Sequence, residues 1–99
     1  MSNFNENCYS ILKKVPKGKV TTYKALAQAL NSKAYRAVGQ AMNKNNQAPI
    51  IPCHRVINSN GNIGGYAFGI NKKIKILKEE GIEIIKNKID LKKYMYKLQ

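Results

Sequence analysis

The tightest constraint on the fold of this chain lies between Thr21 and Asn43, where two short helical patterns are joined by a three-residue turn. Tyr23, Leu26, Ala27 and Leu30 recur at i, i+3, i+4 and i+7, which predicts a helix over 22–30 with one buried face. Thr21 and Thr22 are the N-cap candidates, because a hydroxyl there can accept from the first free backbone N–H groups. Asn31-Ser32-Lys33 reads as the turn, with Ser32 as the next cap. Residues 34–43 read as a further helix whose apolar side is Ala37, Val38, Ala41 and Met42. Two short helices across a tight turn are the helix-turn-helix pattern. Arg36, Gln40 and Asn43 fall on the opposite face, a polar stripe suited to a nucleic-acid groove, or simply a solvated face.

The remaining segments fit around that pair. Phe4, Cys8, Ile11, Leu12 and Val15 have helical spacing, so 4–14 reads as a first amphipathic helix, ended by Pro16-Lys17-Gly18-Lys19. Lys44-Asn45-Asn46-Gln47 is a loop, and Ile50-Ile51 a short buried extended run. Val56-Ile57, Asn58-Ser59-Asn60-Gly61 and Asn62-Ile63 read as a small hairpin, because Asn-Gly is a strong turn signal. Gly64-Gly65-Tyr66-Ala67-Phe68-Gly69 is a glycine-flanked loop whose backbone can approach a ligand closely. Residues 70–80 form another helix with Ile70, Ile74 and Leu77 inward and Gly81 closing it. Leu91, Tyr94, Met95 and Leu98 predict a packed terminal helix with a lysine face. The expected fold is mainly α: a winged helix-turn-helix, with three bundled helices, a β-hairpin wing and an additional C-terminal helix, in a single domain over 1–99.

Eighteen Lys+Arg against five Asp+Glu give +13 on 99 residues, more than solubility requires. An anionic partner is implied, and nucleic acid is the commonest. Ribosome association, or a lysine-rich proteome, would leave the same balance. Two cysteines cannot staple the chain heavily, and a reduced setting is the simpler reading. Cys8 sits in an apolar-periodic stretch and reads as a core residue. No secretory leader and no run of transmembrane length is visible.

Pro52-Cys53-His54-Arg55-Val56 carries the chemistry. The one histidine follows a cysteine placed between apolar runs, and a cysteine beside His and Arg can be activated as thiolate. By itself that pair is weak evidence of catalysis.

Taken with Val20-Thr21-Thr22-Tyr23, Arg36-Ala37-Val38-Gly39, Asn45, Gly64-Gly65-Tyr66 and Glu80, the pentapeptide closely resembles the O6-alkylguanine-DNA alkyltransferases, the methylated-DNA–protein-cysteine methyltransferases. The resemblance runs from about residue 4 to about residue 82. It implies irreversible, single-turnover transfer of an alkyl group from O6 of guanine in duplex DNA to Cys53. The residues that it implies as catalytic are Cys53, His54 acting through a water, Glu80 orienting His54, Tyr23 protonating guanine N3, and Asn45 bracing the active-site turn. Arg36 would fill the space left by the extruded base, with Tyr35, Gln40 and Asn43 along the DNA, in the minor groove. The base pocket would be built from Val56, Tyr66, Ala67, Phe68 and Lys73, the Cys53 and Val56 carbonyls accepting from the exocyclic amine. No cofactor and no metal is implied, and the expected protein is a monomer in the cytoplasm, or in the nucleus of a eukaryote, with no membrane partner.

Three departures stand out. Tyr35 replaces a usually small residue, Phe68 stands where some members have glycine and should narrow the pocket, and the N-terminal RNase-H-like domain of many members is not expected. Some relatives bind zinc in that domain; two cysteines and one histidine make a poor tetrahedral set here. The main rival is a non-catalytic alkyltransferase-like protein that binds O6-alkylguanine and recruits excision repair; such relatives replace the cysteine that is present here. A winged-helix regulator would leave Cys53, His54, Glu80, Asn45 and Tyr23 unexplained. A cysteine hydrolase lacks any signalled oxyanion or peptide cleft.

Overall fold

The computed structural model describes residues 4–44, 51–66 and 68–98. Among these residues five helices and two short strands run in the order α1 (Phe4–Leu12), β1 (Thr21–Thr22), α2 (Tyr23–Ala29), α3 (Tyr35–Asn43), β2 (Val56–Ile57), α4 (Ile70–Glu79) and α5 (Leu91–Tyr94), with a 3₁₀ turn at Cys53–Arg55 before β2. No described helix is long and apolar enough to cross a membrane.

The expected bundle is present. Cys8, Leu12, Val15, Leu26, Ala27, Val38, Ala41 and Met42 form one core with Ile51, Cys53 and Val56. At roughly 25 cal/mol per Å² of apolar surface, burying such side chains is the main term holding α1, α2 and α3 together. Thr22 caps α2, its Oγ1 accepting from Ala25 N–H at 3.0 Å. Ser32 does not cap α3. Its hydroxyl accepts from Ala34 N–H at 3.0 Å, and Ala34 itself precedes the helix with no side-chain cap. α1 ends at Leu12, short of the expected 14, because Lys14 and Val15 turn back in i→i+3 bonds that bury Val15.

The hairpin wing is corrected. Val56-Ile57 does not fold back on Asn62-Ile63; β2 pairs in parallel with β1, Thr21 opposite Val56 and Thr22 opposite Ile57. Both β2 side chains are buried, the continuous apolar signature of a parallel strand rather than the alternation of a hairpin. Asn58 and Gly61 do close a tight loop, but its exit pairs with residues 87–89 instead. Gly61 is required there: its φ is +91°, and a Cβ would sit 2.8 Å from the Ile89 carbonyl. The extended run at 50–51 is described only at Ile51, which is buried.

Two further expectations change. α4 ends before Gly81 as predicted, with Gly81 at φ +90°, but Ile70 is 43% exposed and the fully buried residue of its first turns is Lys73. The terminal helix is a single turn. Beyond it, Val20 N–H donates to Tyr94 O at 2.9 Å and Tyr96 N–H to Val20 O at 2.8 Å. A continued helix would leave these buried Val20 groups unpaired, which costs more than one turn of helix returns. Val20, Ile57, Ile63, Leu77, Ile82, Ile89 and Tyr94 form the second core beneath this tail.

Candidate active site and DNA-facing surface

The parallel β1–β2 pair is what assembles the site. β1 runs directly into Tyr23 at the start of α2, and β2 follows directly on the Cys53–Arg55 turn. Pairing Thr21 with Val56 therefore brings Tyr23 and Cys53, thirty residues apart, into one neighbourhood. Cys53 is 3% exposed. Burial pushes the Tyr23 hydroxyl up, and proximity to Cys53 adds to this. Tyr66 is pushed up to about 12 by burial, then by the Cys53 charge and by a hydrogen bond to Cys53.

Next in sequence to the cysteine, a histidine–glutamate pair is held from one side by arginine. His54 is fully buried and its Nε2 lies 3.0 Å from Glu80 Oε2. Arg55 grips the same carboxylate through Nε to Oε1 at 3.0 Å and Nη2 to Oε2 at 2.6 Å, and its Nη1 donates to Val15 O at 2.9 Å. Burial pushes the Glu80 carboxyl up, but the hydrogen bonds and charges of Arg55 and His54 overcome it and hold Glu80 below the usual carboxylate range. His54 is pushed down, chiefly by burial; Glu80 opposes the shift, while Arg55 and Lys73 reinforce it. Below its ordinary range the imidazole is neutral at physiological pH. An ionised Glu80 accepts, so Nε2 carries the proton and Nδ1 the basic lone pair. Nδ1 is buried with no hydrogen-bond partner among the described residues.

Lys73 differs from the sequence reading in kind. Its Nζ is buried and donates to three carbonyls: Val56 at 2.7 Å, Ile63 at 2.5 Å and Gly65 at 2.9 Å. It ties the strand after the cysteine turn to the glycine-flanked loop, and burial lowers its pKa to about 8, against the opposing pull of Cys53. Of the carbonyls read as acceptors for guanine's amine, Val56 O already accepts from Lys73 and Cys53 O from Val56 N–H. Phe68 is 46% exposed, edge-on to Tyr66 at 5.3 Å between ring centroids, with Lys72 Nζ 5.6 Å above it. It stands at a rim beside Tyr66. Asn45 and Ala67 lie outside the described residues.

Arg36, Gln40 and Asn43 are all exposed on α3, opposite buried Val38, Ala41 and Met42. Tyr35 is 44% exposed and lines a cleft with Tyr23, Lys24 and residues 58–60. The head of α3 thus meets Tyr23 across this cleft. Arg55 is the functional side chain whose role the sequence left blank. Its signal was available: only five carboxylates serve eighteen cations, and one of them closes α4. Cys8 is a core thiol, pushed up to about 11 by burial. Among the described residues no three His, Cys, Asp or Glu side chains group as a metal site.

Comparison with known proteins gives the family and the fold. The family described as 6-O-methylguanine DNA methyltransferase, DNA binding domain, matches residues 3–82. A bifunctional methyltransferase/endonuclease of Picrophilus torridus is 49% identical over 89 residues, 89% of this chain and 30% of that protein. A methylated-DNA–protein-cysteine methyltransferase of Methanosarcina acetivorans is 46% identical over 81% of this chain and 52% of its own length. The chain thus spans about half or less of these curated relatives. The crystal structure of S. pombe Atl1 in complex with damaged DNA containing O6-carboxymethylguanine superposes with a TM-score of 0.87 at 35% identity, over 98% of this chain and 97% of that one.

Proposed function

The chain belongs to the 6-O-methylguanine DNA methyltransferase family, and from that premise we propose that it repairs duplex DNA by moving an alkyl group, methyl first of all, from guanine O6 to Cys53. The observation that carries this reading is the buried Cys53–His54–Glu80 series, in which Glu80 and Arg55 dictate the state of His54. His54 Nδ1 takes the thiol proton through a water. The thiolate then attacks the alkyl carbon: the S–C bond forms, the C–O6 bond breaks, and its electron pair passes into guanine. Tyr23 donates to N3 as that charge develops and is reprotonated from solvent. A thioether does not hydrolyse under mild conditions, so each molecule acts once. The base must leave the stack to reach a 3%-exposed thiol, and Arg36 on α3 takes its place from the minor groove, whose degenerate code suits damage search. The protein works as a monomer, in the compartment that holds the DNA, cytoplasm or nucleus.

One observation favours a second reading, recognition of alkylguanine without transfer: the Atl1 match covers nearly all of both chains. The retained thiol argues against it. Intact mass after incubation with an O6-methylguanine duplex decides. We expect one added methyl on Cys53 and none on Cys53→Ser. Tight binding with no gain in mass would leave the recognition reading.

A further inference from the structure

The segment that displaces the expected wing is a two-residue hairpin at 85–88. Ile85 and Lys88 exchange both backbone hydrogen bonds at 3.0 Å, while Lys86 and Asn87 between them take φ of 51° and 62°. Two positive φ values define the type I′ turn, which favours Asn and Gly. A lysine in that conformation is uncommon. All four residues are exposed, Ile85 at 62%. The hairpin is fastened to the 58–62 loop by Ile63 N–H to Asn87 O at 3.0 Å, Ile89 N–H to Gly61 O at 2.8 Å, and a bridge between Asn62 and Lys88. Residues 58–60 of that loop line the cleft shared with Tyr23 and Tyr35. The hairpin is therefore fastened to the loop that lines the cleft beside Tyr35, the residue before Arg36. Its tip holds two lysines and no carboxylate; Glu83 and Asp90 sit with Lys88 and Tyr94 in the hollow at its base. The family match ends at residue 82, before this element.

We propose that residues 85–88 make a second contact with duplex DNA, Lys86 and Lys88 pairing with phosphates to one side of the alkylated base. The inference rests on the reading of the chain as a protein of alkylated duplex DNA. Duplex is the occupant because the charges of the hairpin itself are Lys86 and Lys88, the chain carries +13, and the hairpin is fastened to the loop whose residues 58–60 share a cleft with Tyr35 at the head of α3. The contact lengthens the footprint without adding base readout.

The test uses the full chain and the double variant Lys86→Gly/Lys88→Ser; glycine takes the Lys86 conformation without strain. Binding to an O6-methylguanine duplex is titrated between roughly 50 and 200 mM salt, where each lost phosphate contact lowers the log–log slope by about 0.9. A drop of about 2 is expected, with the melting temperature unchanged or raised. Lys86→Gln/Lys88→Gln should repeat it without altering the backbone preference. Lys13→Ser/Lys14→Ser is the charge-matched control. On duplexes shortened stepwise from each end, the wild type should lose affinity at a step that the variants lack. Equal slopes and truncation profiles for wild type and variants, or an equal slope loss in the control, would overturn the contact while leaving methyl transfer in place. A wild type that neither binds the duplex nor gains mass would overturn the underlying reading instead.

Discussion

Glu80→Gln is the most informative single change, because it keeps shape and removes charge. The carboxylate receives three side-chain hydrogen bonds, from His54 at 3.0 Å and from Arg55 at 3.0 and 2.6 Å, and its side chain is 8% exposed. Breaking a buried pair by neutralising one partner costs about 3–5 kcal/mol; Arg55 is 15% exposed and glutamine still accepts once, so about 2–3 kcal/mol is expected here. The chemical effect is larger than the stability effect. Glutamine can donate its amide to His54 Nε2, which moves the ring proton to Nδ1 and turns the basic lone pair away from the thiol's side of the relay. Loss of a positioned general base in its working tautomer costs on the order of a thousandfold in rate. Single-turnover rapid quench with a labelled O6-methylguanine duplex measures the rate, and urea denaturation measures the stability. The endpoint should still approach one methyl per folded molecule, reached far more slowly. A folded Glu80→Gln that transfers within threefold of wild type at pH 7 would refute the relay.

Three further outcomes are expected. Lys73, held near 8 by burial, has an unfolded value of about 10.4, so between them the unfolded chain binds more protons and stability rises with pH. Cys8, raised to about 11, and Tyr66, raised to about 12, reverse the sign from about pH 9 upward. Urea titrations should show a gain of about 0.5–1 kcal/mol from pH 8 to 9, then a fall, with the gain absent in Lys73→Met. Phe68 at the pocket rim should disfavour large adducts: O6-benzylguanine in a duplex should react more slowly than O6-methylguanine, and Phe68→Gly should narrow the gap, whereas equal wild-type rates would discard the idea. Arg36→Ala should weaken binding to the lesion duplex and slow transfer while leaving the melting temperature within about a degree, since exposed side chains contribute little to stability; unchanged binding by fluorescence anisotropy would remove Arg36 from the interface.

The helical part of the fold was legible because its signals are local. Thr22 caps α2, Gly81 follows α4 with positive φ, and the apolar sides of α2 and α3 are the ones buried. The strands were not legible by the same route. Asn60-Gly61 is a true turn signal, yet a turn does not say which strand its exit will meet, and Val56-Ile57 found a partner thirty-five residues upstream. The end of α5 was missed for a related reason: periodicity at Leu91, Tyr94, Met95 and Leu98 competes with the unpaired edge of Val20, which no local pattern reveals.

The same division holds for the site. Sequence by itself determined the Cys53-His54 pair, the polar stripe on α3, and the +13 charge, since these depend on residue type and on spacing within one element. Only the tertiary structure decided that Arg55 and His54 converge on one carboxylate, that Lys73 is a three-carbonyl tie, and that the hairpin stands at 85–88. Each of those joins groups at least eight residues apart or settles which of several unpaired backbone edges is satisfied. Such choices are made by the burial of the whole chain, because a polar group shut away from water must find whatever partner the packing leaves within reach.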